Sequence, residues 1–210
     1  MKKIIILCVL MVVNLQAQIF METTKEEKRS MIEAGTFLSF SSYKETQTPG
    51  VYVGYWYRYP IDENKAHLEF GLDLYHSGSV YNFEYGKKGE FYPIRSKESL
   101  FNVGIRMVKE YPTRNNSIEW VSELSLHNLF FKNKDIPNDK RENLDENTIN
   151  LDTNVQGVAS LRIGQGIRFW KNNFGVGIQA SYMPYRLWEK HAVPSGFNSF
   201  SLETSINFKF

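Results

Sequence analysis

The chain has 210 residues, with 25 Lys and Arg against 23 Asp and Glu and a formal net charge of +2, so it lacks the basic excess that a nucleic-acid partner demands. A single cysteine, Cys8, excludes an internal disulfide framework. With 15 Phe, 12 Tyr and 4 Trp, but no apolar run of the roughly twenty residues that a membrane helix needs, the chain either folds as a soluble β-domain or crosses a bilayer as strands.

In chain order, Met1-Lys2-Lys3, the apolar run Ile4 to Val13 and Asn14-Leu15-Gln16-Ala17 read as a secretory signal cleaved after Ala17. The apolar run is about ten residues, half of a helical span, so residues 1–17 are expected to be removed rather than kept as an anchor. Cys8 leaves with them, and without Lys2 and Lys3 the basic count falls to 23, equal to the acids. Residues 18–30, with the charge run Lys25-Glu26-Glu27-Lys28-Arg29, read as a solvated N-terminal extension on the periplasmic side. Residues 31–210 form the single folded domain.

That domain alternates with the period of two that a strand requires. The first segment, about Met31 to Tyr43, sets Ile32, Ala34, Thr36, Leu38 and Phe40 against Glu33, Gly35, Phe37, Ser39 and Ser41. After a polar link, Lys44 to Pro49, the second runs from Gly50 to Tyr59, and Pro60 to Asn64 is a turn. The third begins near Ala66, with Leu68, Phe70, Leu72 and Leu74 opposite His67, Glu69, Gly71, Asp73 and Tyr75. The fourth ends near Lys109, and Gly86-Lys87-Lys88-Gly89 between them predicts a hairpin reaching well beyond a membrane. The fifth covers Ile118 to about Phe131, and the polar stretch Lys132 to Thr153 follows. The sixth spans Asn154 to Trp170, Lys171-Asn172-Asn173 turns tightly into the seventh at Phe174, and Pro184 to Gly196 is the last loop. The eighth, Phe200 to Phe210, alternates without a break: Phe200, Leu202, Thr204, Ile206, Phe208 and Phe210 on one face; Ser201, Glu203, Ser205, Asn207 and Lys209 on the other.

Eight segments joined by alternately short and long connections predict an all-β, antiparallel up-and-down transmembrane barrel with a protruding extracellular hairpin. Placing both termini in the periplasm puts the short turns there and the long loops outside. Tyr57, Tyr59, Trp120, Trp170, Phe208 and Phe210 then form a periplasmic aromatic girdle, with Tyr182 in the girdle at the outer end. In this pattern and in its terminal aromatic strand the chain resembles the small outer-membrane barrels of Gram-negative bacteria, the porin-like barrel domains of the OmpX and OmpA type. The resemblance implies location in the outer membrane and contact with its lipids, including lipopolysaccharide. It also implies assembly by the barrel-assembly machinery through the C-terminal strand, and a structural, adhesive or accessory role.

The inward faces bring together Glu33, Glu69, Asp73, Glu119, Glu123 and Glu203 with Arg58, Arg106, Arg162, Arg168 and Lys209. Eight strands leave room only for side chains, and charges taken out of water must be paired, so a lumenal ion-pair network is expected in place of an open channel. Ser125, His127 and Glu123 hold the residue types of a hydrolase triad. Neighbours on one face of a strand stand about 6.8 Å apart along it, which disfavours direct contact, and this face is the lumen rather than the bilayer side, so no catalytic residue is assigned. His67, Glu69 and Asp73 with His127 carry metal-ligand chemistry, but their spacing imposes no coordination geometry, and neither metal nor cofactor is expected. His191, Trp188, Lys190 and Tyr185 suit a lipid-phosphate boundary or an ordinary girdle. The leading expectation is a non-enzymatic barrel that binds a surface or membrane protein through exposed Tyr81, Phe83, Tyr85, Phe91 and Tyr92 of the hairpin. A lipid-modifying hydrolase and a narrow passive channel are the alternatives.

Overall fold

The computed structural model describes residues 29–62, 66–113, 116–137 and 155–210. The expected signal segment, the extension up to residue 28 and residues 138–153 of the polar stretch lie outside the described residues. The elements are β1 (Ser30–Phe40), β2 (Lys44–Thr46), β3 (Gly50–Asp62), β4 (Ala66–Lys87), β5 (Glu90–Pro112), β6 (Ser117–Lys132), β7 (Val155–Lys171), β8 (Phe174–Pro184) and β9 (Asn198–Lys209).

Each long strand pairs antiparallel with its neighbour in sequence, and β1 pairs with both β3 and β9, so the eight long strands close on themselves. The closing seam runs from Met31↔Lys209 to Phe40↔Phe200. Closure leaves no free edge within the barrel wall, which is the physical condition for strands in a lipid bilayer. The three short connections and both described chain ends lie at one end of the barrel, here the turn end; the opposite end is the loop end.

Turn chemistry agrees with the local sequence. Lys87 pairs with Glu90 across Lys88 (φ 52°) and Gly89 (φ 84°), two left-handed positions in succession that match the twist of a two-residue hairpin. Asn172 (φ 56°) opens the equally tight turn between Lys171 and Phe174, and Asn tolerates that conformation better than most residues.

The expected polar link after β1 contains an additional strand, β2, paired with Tyr81 and Val80 of β4. Its cause is the mismatch in strand length. β3 stops pairing with β4 at Gly50↔Ser77, whereas β4 continues for ten residues, and β2 covers part of the edge that would otherwise stand open.

Polarity inverts along the two longest strands without any change in alternation. On β4, Leu68, Phe70, Leu72 and Leu74 face out and Glu69 and Asp73 face in; beyond them His76, Asn82 and Glu84 face out and Tyr81, Phe83 and Tyr85 face in. On β5, Met107, Ile105 and Val103 face out near the turn end, and Lys97 and Arg95 face out near the loop end, where Ile94 and Leu100 are buried. The lower half is therefore oily outside and polar inside, and the upper half has the arrangement of a water-soluble domain. Its core unites Phe37, Tyr81, Phe83, Phe131, Val158 and Phe197, among others, from seven strands and the loops after β6 and β8.

This arrangement corrects one expectation about the hairpin. Tyr81 (1% exposed), Phe83 and Tyr85 are buried, because β4 and β5 do not stand free but curl with β6, β7 and the 185–197 loop around that core. Phe91 does point outward, 66% exposed, while Tyr92 is half-buried and donates its hydroxyl to Glu90 (2.6 Å).

Candidate functional site

Each inward charge of the lumen meets an opposite charge delivered from another strand. Near the turn end, Arg58 of β3 donates to Glu69 of β4 and Glu119 of β6, both at 2.7 Å. Arg168 of β7 donates to the other oxygen of Glu69 (2.7 Å) and lies 3.5 Å from Glu119, to which Lys209 of β9 also donates (2.9 Å). At mid-height, Arg106 joins Glu33 and Glu123, each at 2.9 Å, with its guanidinium 3.6 Å over the Trp56 ring. Arg162 binds both oxygens of Glu203 (2.5 and 2.6 Å), lies 3.1 Å from Glu123 and donates to the Tyr75 hydroxyl (2.7 Å). Asp73 accepts from the Trp56 indole (2.8 Å). Gly54 makes that contact possible, since a Cβ there would fall 1.9 Å from Asp73 Oδ1. All eleven lumenal charges singled out in the sequence enter this network.

The network fills the lumen. A pocket lined by Glu33, Tyr52, Arg168 and Gln179 offers about 10 Å³, and one lined by Asn102, His127, Arg162 and Glu203 about 0 Å³. One water needs roughly 10–15 Å³.

Ser125, His127 and Glu123 share this interior but do not form a triad. Contrary to the expectation that same-face neighbours on one strand stay out of direct contact, Ser125 donates to Glu123 (2.9 Å), because the longer side chain leans along the strand; His127 instead contacts the Asn102 side-chain amide through Nδ1 (2.6 Å) and the Tyr185 hydroxyl through Nε2 (2.9 Å). The carboxylate holds the serine, and the histidine faces neither. The four residues with metal-ligand chemistry are also dispersed. His67 pairs with Glu110 at the rim (3.3 Å), Glu69 and Asp73 serve different arginines, and His127 stands higher; among the described residues no group of three or more His, Cys, Asp or Glu could hold a metal ion.

At the loop end, a second polar cluster escaped the sequence reading. Lys44 of β2 pairs with Glu98 of β5 (2.8 Å), and neither side chain reaches solvent. Ser39 and Ser77 each donate to Glu98 at 2.7 Å, and Lys44 also meets the Ser39 hydroxyl. Burial holds the Lys44 pKa below its ordinary 10.5 despite the attraction of Glu98. Glu98 shares the parity of the inward Leu100 and Asn102, a signal that could have found it; nothing local marks Lys44, which lies in a polar link.

Outside, the lower half is a continuous apolar surface. Val51, Leu74, Met107, Leu126, Ile178 and Ile206 are all exposed, on neighbouring strands around the whole circumference. A large contiguous apolar exterior on a closed sheet whose charges are inside matches a hydrocarbon environment and no aqueous one. The chain is a closed eight-stranded antiparallel β-barrel with the exterior of a membrane-spanning sheet. Tyr59, Trp120, Phe208 and Phe210 are exposed on this barrel toward the turn end, Tyr57 is half-buried there, and Tyr182 is exposed at the opposite boundary. Trp170 is not part of the girdle. It lies inside, 3% exposed, against Met31 and Trp56, with Lys209 Nζ 3.6 Å over its ring, because it shares the inward parity of Arg168.

No protein-family model matches the sequence of this barrel, and no curated protein matches it. Among solved structures it is similar to Neisserial surface protein A, at 13% identity and a TM-score of 0.49, over 86% of this chain and 97% of that one. It is also similar to the attachment invasion locus protein Ail of Yersinia pestis, solved with the heparin analogue sucrose octasulfate, at 14% identity and a TM-score of 0.48, over 88% and 99%. A third is the outer membrane enzyme PagL, at 9% identity and a TM-score of 0.48, over 85% and 99%. The assignment to the barrel class rests on closure, lumen and exterior, as described above.

Proposed function

We propose that this chain is a non-enzymatic, non-conducting barrel that holds a folded β-extension outside the cell and binds a partner protein there. The supporting observation is the division of labour along β4 and β5: below, a lumen filled by ion pairs; above, an apolar core inside a polar-faced sheet. A rigid platform loses little conformational entropy on binding. In this reading residues 1–17 are an export signal, both termini are periplasmic, and the C-terminal strand meets the assembly machinery.

The revised contact surface is the hairpin tip. Phe91, beside Lys88 and Glu90 at the turn, is exposed where Tyr81, Phe83 and Tyr85 are not. Affinity purification from native outer membranes should recover a partner with the wild-type chain and lose it with F91S, which removes no core contact. Equal recovery by both would overturn the reading. A hydrolase alternative predicts an altered lipid A mass profile in cells carrying the protein, and identical profiles with and without it remove that alternative.

A further inference from the structure

The apolar exterior of the lower half is not uniform around the circumference. On β4 and β5 its outward row is Phe70, Leu72, Leu74, Val103, Ile105 and Met107, all large and apolar. On the other side, from β6 through β7, β8 and β9 to β1, small and hydrogen-bonding side chains interrupt the rows. Gln165 stands exposed between Ile167 and Ile163 of β7, Thr204 and Thr36 are exposed on β9 and β1, and Ala180 lies on β8 between them. A groove of about 620 Å³ crosses this face, lined among others by Trp120, Gln165, Ala180, Leu202, Thr204 and Thr36.

In hydrocarbon no water completes the bonds of such groups, so each needs a partner of its own. Thr36 and Thr204 hydrogen-bond to each other (3.0 Å), and each oxygen keeps acceptor capacity after that bond is made. The Gln165 side-chain oxygen accepts from the Trp120 indole N–H (2.9 Å) and from the Ser122 hydroxyl (3.1 Å). These bonds fix the amide and leave its nitrogen, which carries only donors, without an acceptor among the described residues. Unmatched donors thus lie to one side of β8 and spare acceptors to the other. Gln165 registers with Ala180 and Ala180 with Leu202, one outward position from Thr204. The ladder line rises toward the loop end in this direction, from Trp120 in the girdle through Thr204 and Thr36 to His76. Strand tilt therefore brings Thr204, rather than Leu202, to the height of Gln165.

We propose that this face pairs with the same face of a second copy, about a two-fold axis parallel to the barrel axis and in front of β8. That rotation sets β7 of one protomer against β9 of its partner, so the Gln165 amide of each copy meets the Thr204 hydroxyl of the other, twice per dimer. Small residues and polar contacts hold membrane segments together where hydrocarbon supplies no apolar driving force between them. Acyl chains cover β4 and β5 equally well but bring no acceptor to Gln165. The inference rests on the bilayer reading of the exterior and is independent of any partner at Phe91.

Oxidation of native membranes should cross-link C8S/I178C into dimers through the strand at the axis and leave C8S/L72C, on the far side of the barrel, monomeric. In vesicles, energy transfer between labelled folded chains over increasing lipid dilution gives the dimer dissociation constant. Q165L should raise it about tenfold, at about threefold for each of the two contacts, and T204V should do the same. Q165L/T204V should lose no more than either variant alone, because each removes the same contact. A heat-dependent gel shift retained in every variant shows that the barrel is folded. A monomer at every dilution, cross-linking through L72C in place of I178C, or losses that add in the double variant would overturn the inference. Cross-linking of I178C to a different protein alone would overturn it in favour of a heterologous partner.

Discussion

Glu119 shows what a single residue does in this lumen. Arg58 and Lys209 donate to it and Arg168 lies at 3.5 Å, so three cations from three other strands depend on one carboxylate. A fully buried ion pair adds little net stability against an apolar replacement, but removing one member strands the others without a counter-charge. E119A should therefore lower the unfolding free energy by about 3–5 kcal/mol, read from urea titration in lipid vesicles. A loss below about 1 kcal/mol would mean that water reaches these cations and the lumen is not dry. Parity in the sequence identified Glu119 as inward, yet which cations it meets depends on a register across β3, β7 and β9 that no local signal carries.

At the scale of elements, β2 is three residues long and could not be stable alone, since an isolated short pairing is marginal in water. The Lys44–Glu98 pair fixes it to the sheet, together with the contacts of Ser39, Ser77 and Tyr81 to Glu98. K44M should destabilise the barrel more than K44M/E98M, because the single change leaves Glu98 buried and unpaired; the reverse order in urea titrations would refute the clamp. The pH dependence has a definite sign. An unfolded Lys44 keeps its proton up to about 10.5, whereas burial makes the folded residue release it earlier, so the unfolded chain binds more protons in between. Stability from this site rises with pH across that window, and in K44M the rise should be absent. The expected loop at Lys44 to Pro49 missed this element because its reason for existing, the unpaired upper edge of β4, lies more than thirty residues away.

For the whole molecule, the same alternation serves two solvents. Where the outside is hydrocarbon, the lumen must hold the polar groups and pair them; where the outside is water, the interior can be apolar and needs no pairing. The boundary passes near Tyr182, Phe200 and Phe40, and the lumen is filled on both sides of it. Purified barrel in planar bilayers should therefore show no stepwise conductance at moderate voltage. Reproducible single-channel steps from the folded protein would contradict the filled lumen.

By itself the sequence determined the strand class, the number of barrel strands, the even closure and the sidedness of nearly every residue, because period-two alternation is a local property that survives any arrangement of neighbours. Inward parity also settled which charges share the lumen. Only the tertiary structure decided that Tyr81, Phe83 and Tyr85 are core rather than contact surface, that Trp170 belongs with Arg58 and Lys209, and that Lys44 closes on Glu98. Alternation says which face a side chain takes, but what lies on that face is set by strands distant in sequence and by the solvent at that height.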